Sequence, residues 1–204
     1  MPLPRIAIAT GDPAGIGPEI ALKAALDARV RSLCRPLLVG DPAAVETHAR
    51  TSGLSPSLHV LKKPSEAQWS DGTVNLLDAR DGSNVPVKIG TVDAAYGRAS
   101  LASAGRAIKA ALAGDVEAVV AAPQTERSIA AAGIAFDGYP SFVARETGTP
   151  VNDVYLMICF DQSTAIGLFA FSIASAVIAI WSCVFGGKRN TRSAGAPISC
   201  RNFL

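Results

Sequence analysis

The sequence predicts an α/β layered domain built on a mostly parallel sheet, and three observations carry that prediction. Short β-type runs alternate with helical stretches along the first 160 residues. One of those runs, VEAVVAAP at 116–123, is apolar at every position but Glu117, as suits a strand covered on both faces. No internal repeat or low-complexity tract interrupts the alternation, which is the pattern of layered α/β domains.

Taken in order, RIAIAT at 5–10 reads as a strand that empties into the glycine-rich GDPAGIGPE, and IALKAAL follows as a helix. PLLVG at 36–40 is a second strand. Asp41 is placed to cap a helix running through His48, with Pro42 at its first position, where a missing N–H costs nothing. Residues 54–90 are richer in Pro, Gly, Ser and Asp, with short candidate strands at LHVL, TVNLL and VPVKIG. The clearest helix is AAYGRASLASAGRAIKAALA at 94–113, closed by Gly114 and Asp115. After the strand at 116–123 come a helix over 125–132, a turn at GYPSF, a short helix and the strand VYLMICF at 154–160.

The composition is that of a globular chain of 204 residues, but it breaks in one place. All 17 acidic residues lie at or before Asp161, together with 15 of the 19 basic ones. Three of the four cysteines, Cys159, Cys183 and Cys200, fall near or beyond that point. The mildly acidic front part carries no electrostatic footprint for nucleic acid. Four scattered cysteines without CxxC spacing indicate neither a disulfide scaffold nor a zinc site. The start, MPLPRIAIATGD, lacks the apolar run of a signal peptide, so a cytoplasmic location is expected.

Two segments carry candidate chemistry. In TGDPAGIGPE a strand runs into Gly11, Gly15 and Gly17 before a helix, which brings backbone N–H groups and a helix N-terminus to the strand's carboxyl end. Two readings fit: a turn that holds a phosphate or carboxylate, or a tight turn that needs glycine for geometry alone. The spacing matches neither GxGxxG nor the Walker loop. In AAPQTERSIAAAGIAFDGYPSF, at 121–142, Glu126, Arg127, Asp137 and Tyr139 stand at element ends beyond an apolar strand, where open α/β sheets receive ligands. Each of them also reads as an ordinary solvated or packed residue. The two histidines, His48 on what reads as a polar helix face and His59 in a short strand, have no ligating neighbours at metal spacing.

With these residues in view, the chain resembles the PdxA family, the relatives of 4-hydroxythreonine-4-phosphate dehydrogenase. TGDPAGIGPEIALKA, AVVAAP, AAGIAFDGYPSF and VYLMICF occur in the expected order, over about residues 4–160. The resemblance implies an isocitrate/isopropylmalate dehydrogenase-like α/β fold, incomplete here at the C-terminal end, and a homodimer. It also implies NAD or NADP as cofactor, a bound divalent metal, and oxidation with decarboxylation of a hydroxy-carboxylate substrate. It places Gly11, Asp12, Gly15 and Gly17 along the inter-domain cleft and Tyr139 and Pro140 against substrate. It assigns no catalytic base.

Departures from the family pattern refine these expectations. Where the biosynthetic enzymes read Gly-His-Thr-Glu, this chain reads Gly138-Tyr139-Pro140-Ser141, and where they carry a lysine it has Glu126. A carboxylate there would repel a phosphorylated substrate, and an aromatic ring suits a flat one. Both changes resemble the terephthalate dihydrodiol dehydrogenase branch, which acts on a cyclic cis-dihydrodiol carboxylate. The resemblance implies a first metal-binding histidine in a strand near Phe171, yet no histidine follows His59. The expectation is therefore a PdxA-like region over 1–160 and a divergent apolar and basic tail over 161–204, in a truncated chain without turnover. Two rival expectations are a binding module that keeps the cleft without chemistry and a membrane-tethered derivative.

The rival of a membrane tether arises from residues 165–187, AIGLFAFSIASAVIAIWSCVFGG, which are uncharged and precede KRNTR. The family order instead implies a short strand at 166–171 and a helix at 172–181. The loss of acids, the clustering of cysteines and the missing histidine share one onset near Asp161, which a change of reading frame would produce. On that reading, disorder is expected after about residue 187.

Overall fold

The computed structural model describes residues 2–70, 72–80, 86–160, 166–172 and 177–180. Five strands pair in parallel to form the body of one sheet: β1 (Arg5–Ala9), β2 (Arg35–Gly40), β3 (Ser57–Leu61), β4 (Thr73–Asp78) and β5 (Ala118–Ala121). Three further strands extend it: β6 (Val154–Phe160), β7 (Ile166–Ser172) and β8 (Val177–Ile180). The spatial order is β3-β4-β2-β1-β5-β8-β7-β6. β8 runs parallel to β5, and β7 runs antiparallel to both of its neighbours. The connections carry α1 (Gly17–Leu26), α2 (Ala28–Leu33), α3 (Pro42–Thr51), α4 (Ala94–Leu112), α5 (Glu126–Ala131) and α6 (Tyr139–Thr147).

Side chains alternate across a strand, so a sheet covered on both faces needs apolar residues at consecutive positions. Ala7, Ala9, Leu37, Val39, Leu77, Val119 and Ala121 face α4, α5 and α6, meeting Leu101, Ala104, Ile108, Ile129, Phe142 and Val143. The intervening Ile8, Leu38, Val74 and Leu76 face the other way, onto Ala21, Leu22 and Ala25 of α1 and Val45 and Ala49 of α3. The result is three layers with the sheet in the middle. Asp41 and Asp93 begin α3 and α4 by accepting from Ala43 N and Ala95 N at 2.8 and 2.7 Å. The first of these caps is as expected.

Four expectations need correction. VPVKIG forms no strand across its described residues; it is a loop tied to α4, where the Tyr96 hydroxyl donates to Pro86 O and accepts from Lys88 N. GYPSF is a helix start, with Gly138 as N-cap at φ 109° and Tyr139 and Pro140 in the first turn of α6. His48 is 2% exposed, because it stands three and four residues after Val45 and Ala44 and shares their buried face. Val177–Ile180 is strand where a helix was expected, since an apolar, β-branched run with no polar face pairs on both sides, with β5 and β7. β7 stands where the short strand was expected. Residues 173–176 and 181–204, including the segment expected to be disordered, lie outside the described residues. Among the described residues, no helix is long and apolar enough to cross a membrane.

The open edge of the body of the sheet is held by charge. Asp78, buried at the end of β4, accepts from Arg80 Nη2 at 2.8 Å and from Lys62 Nζ at 2.6 Å. Burial pushes its carboxyl up, and the hydrogen bonds from Arg80 and Lys62 more than reverse this, holding it well below the usual carboxylate range. Burial holds the nearby Asp41 above that range. A carboxyl with a lower pKa folded than unfolded adds stability above about pH 4, and loses it as pH falls toward the folded value.

Two predictions follow from this packing. Gly97 of α4 lies so close to α5 that a methyl group there would sit 2.6 Å from Ile129 N and collide with the Ser128 carbonyl. Helix propensity alone would make Gly97→Ala stabilising by about 1 kcal/mol. The contact should instead make it destabilising by about 1–3 kcal/mol in urea melts. Asp78→Asn should cost about 1–3 kcal/mol at pH 7, and the gap from the parent should narrow as pH falls below about 4. An equal gap at pH 7 and pH 3 would show that the carboxylate's charge is not what holds this edge.

Candidate functional site

The strand order determines where a ligand can enter. From β1 the chain moves toward β2 through α1, on one face of the sheet; β5, on the other side of β1, is followed by α5 on the opposite face. The two connections leave their strands in opposite directions, so the carboxyl ends of β1 and β5 form a switch point, where sheets of this kind open a crevice to ligands. Thr10–Ile16 follow β1 and residues 122–125 follow β5 at this point. The turn after β1 is anchored from three sides. Thr10 N donates to Val39 O at 2.9 Å and to Ser103 Oγ at 3.0 Å, the Pro13 carbonyl accepts from His48 Nε2 at 2.9 Å, and Ala14 O accepts from Gly90 N at 2.8 Å.

Within that turn the predicted residues separate by role. Gly11 has φ 70°, and both it and Gly17 are buried; a methyl at either would collide with backbone, of Pro123 at Gly11 and of Thr10 at Gly17. These two glycines answer to packing. Gly15 is half-buried, with ordinary 3.4 Å clearance to Asp12 Cβ, so geometry alone does not require it. Asp12 is 1% exposed: its Oδ1 accepts from Ala14 N at 2.8 Å, while its Oδ2 is buried without a hydrogen-bond partner among the described residues.

On the β5 side, Tyr139 reaches back from the start of α6, and its hydroxyl donates to Ala122 O at 3.2 Å. Its ring meets Phe136 edge-on, with centroids 6.0 Å apart. Burial pushes the phenol well above its usual range, so it stays protonated as a donor. Pro140 is half-buried beside it in the same helical turn. Glu126 and Arg127 are exposed at the start of α5, and Asp137 is exposed ahead of α6. Gln124 escaped the sequence reading; its position directly after the strand proline was the available signal. Both polar atoms of its side chain are buried and unpaired among the described residues.

The histidines are placed apart. His48 holds the Pro13 carbonyl, and His59 Nε2 lies 3.1 Å from Glu66 O. Among the described residues, no three His, Cys, Asp or Glu side chains converge in a way that would hold a metal ion. These residues therefore do not fit the divalent metal that the resemblance implies.

Comparison with known proteins matches this architecture. Residues 32–177 match the family described as pyridoxal phosphate biosynthetic protein PdxA. A D-threonate 4-phosphate dehydrogenase of Cupriavidus necator is 33% identical over 150 residues, 72% of this chain and 44% of its own length. The crystal structure of a 4-hydroxythreonine-4-phosphate dehydrogenase from Burkholderia phymatum superposes with a TM-score of 0.69 at 29% identity, over 78% of this chain and 47% of that one. A terephthalate 1,2-cis-dihydrodiol dehydrogenase from Burkholderia xenovorans LB400 gives 0.54 at 36% identity, over 77% and 45%. The chain spans less than half the length of each. With nearly three quarters of its residues matched and the same layered sheet, the chain belongs to the PdxA family.

Proposed function

We propose that the crevice between β1 and β5 is part of an NAD- or NADP-dependent oxidoreductase site. Its reaction oxidises the hydroxyl of a hydroxy-carboxylate with loss of carboxylate, and its preferred substrate is a ring cis-dihydrodiol carboxylate over a phosphorylated acyclic one. The observation that carries the substrate class is Tyr139. Bonded to the Ala122 carbonyl and packed with Phe136 against the core, its ring is fixed near the end of β5, where an aromatic residue suits a flat ring better than a phosphate. Burial keeps its hydroxyl protonated, a donor and not a base. Pro140 beside it has no N–H to offer a substrate oxygen. Glu126, exposed at the first position of α5, sets a negative charge where a phosphate would need a positive one.

A bound nicotinamide would supply the hydride acceptor. The described residues fit it in one respect: buried, unpaired polar atoms of Asp12 and Gln124 stand at the switch point where such sheets receive ligands. No step is assigned to a metal, because the ligating residues are not among those described. The same reading makes the protein a cytoplasmic homodimer. A second reading, a cleft that binds without turnover, is favoured by one observation: no histidine follows His59 in the chain.

Isothermal titration of the 204-residue chain tests the first reading. NAD or NADP should bind saturably, and a ring cis-diol carboxylate should bind more tightly than 4-phosphohydroxy-threonine. Glu126→Lys should shift that preference toward the phosphorylated compound by roughly tenfold, the effect of about 1.4 kcal/mol. Equal or tighter binding of the phosphorylated compound by the parent would defeat the substrate assignment. The second reading predicts no metal-dependent NADH formation by the purified chain, since a metal-stabilised oxyanion is a large catalytic term. NADH formation above background would remove it.

A further inference from the structure

At the carboxyl edge, two neighbouring side chains are left unfinished by the protein itself. Asp12 is 1% exposed and satisfies only Oδ1, through Ala14 N. Its Oδ2 is buried without a partner among the described residues, and so are both Nε2 and Oε1 of Gln124. The two residues are equivalent in register: β1 and β5 pair Ala9 with Ala121, and Asp12 and Gln124 each lie three residues further on. Asp12 N still donates to Pro123 O at 3.3 Å, so the strands remain side by side at this point. The other buried unpaired groups, Ser100 and Ser128 Oγ, belong to the α4 and α5 helices.

Buried polar atoms are normally paired, and those that are not need a reason. Their chemistry narrows the ligand. An ionised carboxylate only accepts, so Asp12 Oδ2 requires a donor. A primary amide both donates and accepts, so Gln124 requires one group of each kind. A phosphate or carboxylate has no donor to give and would face the Asp12 charge. An ammonium has no acceptor for Gln124 Nε2. Two adjacent hydroxyls meet every requirement: one donates to Asp12 Oδ2, and the other accepts from Gln124 Nε2 and donates to Oε1.

We propose that Asp12 and Gln124 form a vicinal-diol subsite at the β1–β5 switch point. The proposal rests on the crevice being the ligand site. The diol has two possible sources, the ribose of a dinucleotide and a ring cis-diol of the substrate, and they are separable by experiment.

The test titrates the full 204-residue chain with shikimate, a stable ring cis-diol carboxylate, and with NAD. Cyclohex-1-enecarboxylate serves as the ligand without a diol. Two variants are compared with the parent by titration and thermal melting. Gln124→Met keeps the volume and removes both unpaired polar atoms. Asp12→Asn keeps an acceptor for Ala14 and turns the orphan acceptor into a donor. Gln124→Met should raise the melting temperature of the ligand-free chain by a few degrees, since unpaired buried groups are removed. Both variants should lose at least tenfold in affinity for the diol, with any response to cyclohexenecarboxylate unchanged. Loss confined to shikimate identifies the substrate diol, and loss confined to NAD identifies the ribose. If the parent binds and both variants bind equally well, the subsite is wrong while the crevice reading stands. If neither ligand binds the parent, both fall. A lower melting temperature for Gln124→Met with unchanged affinity would also overturn the subsite, leaving the amide a structural part.

Discussion

The close approach of the β1 turn to the ends of its two neighbouring strands is the constraint on which the rest of the crevice depends. Thr10 N is shared between the Val39 carbonyl and Ser103 Oγ, and the Ser103 hydroxyl itself donates to Val39 O at 2.6 Å. That knot joins β1, β2 and α4. On the opposite side Asp12 N reaches Pro123 O, and Ala122 N donates to Ala9 O at 2.9 Å. A side chain at Gly11 or Gly17 would force these backbones apart. The turn is therefore narrow because it is packed on both sides, and its position sets where Asp12 stands relative to Gln124 and Tyr139.

This arrangement explains why one short segment holds so little freedom. The turn has no regular secondary structure until α1 begins, so its polar groups must find other partners. They find them in residues distant in the chain: His48 for the Pro13 carbonyl, Gly90 for Ala14 O, and Ser103 for Thr10 N. His48 and Ser103 sit on helices with their own packing reason, so the turn inherits the rigidity of α3 and α4. Rigid backbone beside unpaired side-chain atoms is the condition under which a ligand group is oriented and not merely admitted.

Family membership and function stand at different depths in this argument. The family rests on matched residues and on a shared layered sheet, properties of most of the described chain. Substrate and cofactor rest on a handful of side chains around one strand end, because sites are carried on folds and are not dictated by them. Tyr139, Pro140, Glu126, Asp12 and Gln124 are the residues on which the proposed answer to that narrower question rests.

Much of the architecture was legible in the chain itself. Local rules identify β1, β2, β4 and β5, the long helix α4, the Asp41 cap and the strand at 154–160, because apolar period, capping chemistry and glycine stops act within a few residues. The glycine-rich turn with Gly11, Gly15 and Gly17 was also visible there, but not which of its glycines serve packing. That required knowing that Pro123 and Thr10 come within a methyl's radius of them. His48 was misjudged because its partner, Pro13, lies 35 residues away. Val177–Ile180 was misjudged because an apolar run becomes strand or helix according to whether two sheet edges await it. Gln124 carries no motif, and only the parallel register of β1 and β5 sets it beside Asp12. Sequence determined the elements and the family through local and short-range forces; tertiary packing alone decided the neighbours, because hydrogen-bond partners in a parallel sheet are set by chain crossovers and not by proximity along the chain.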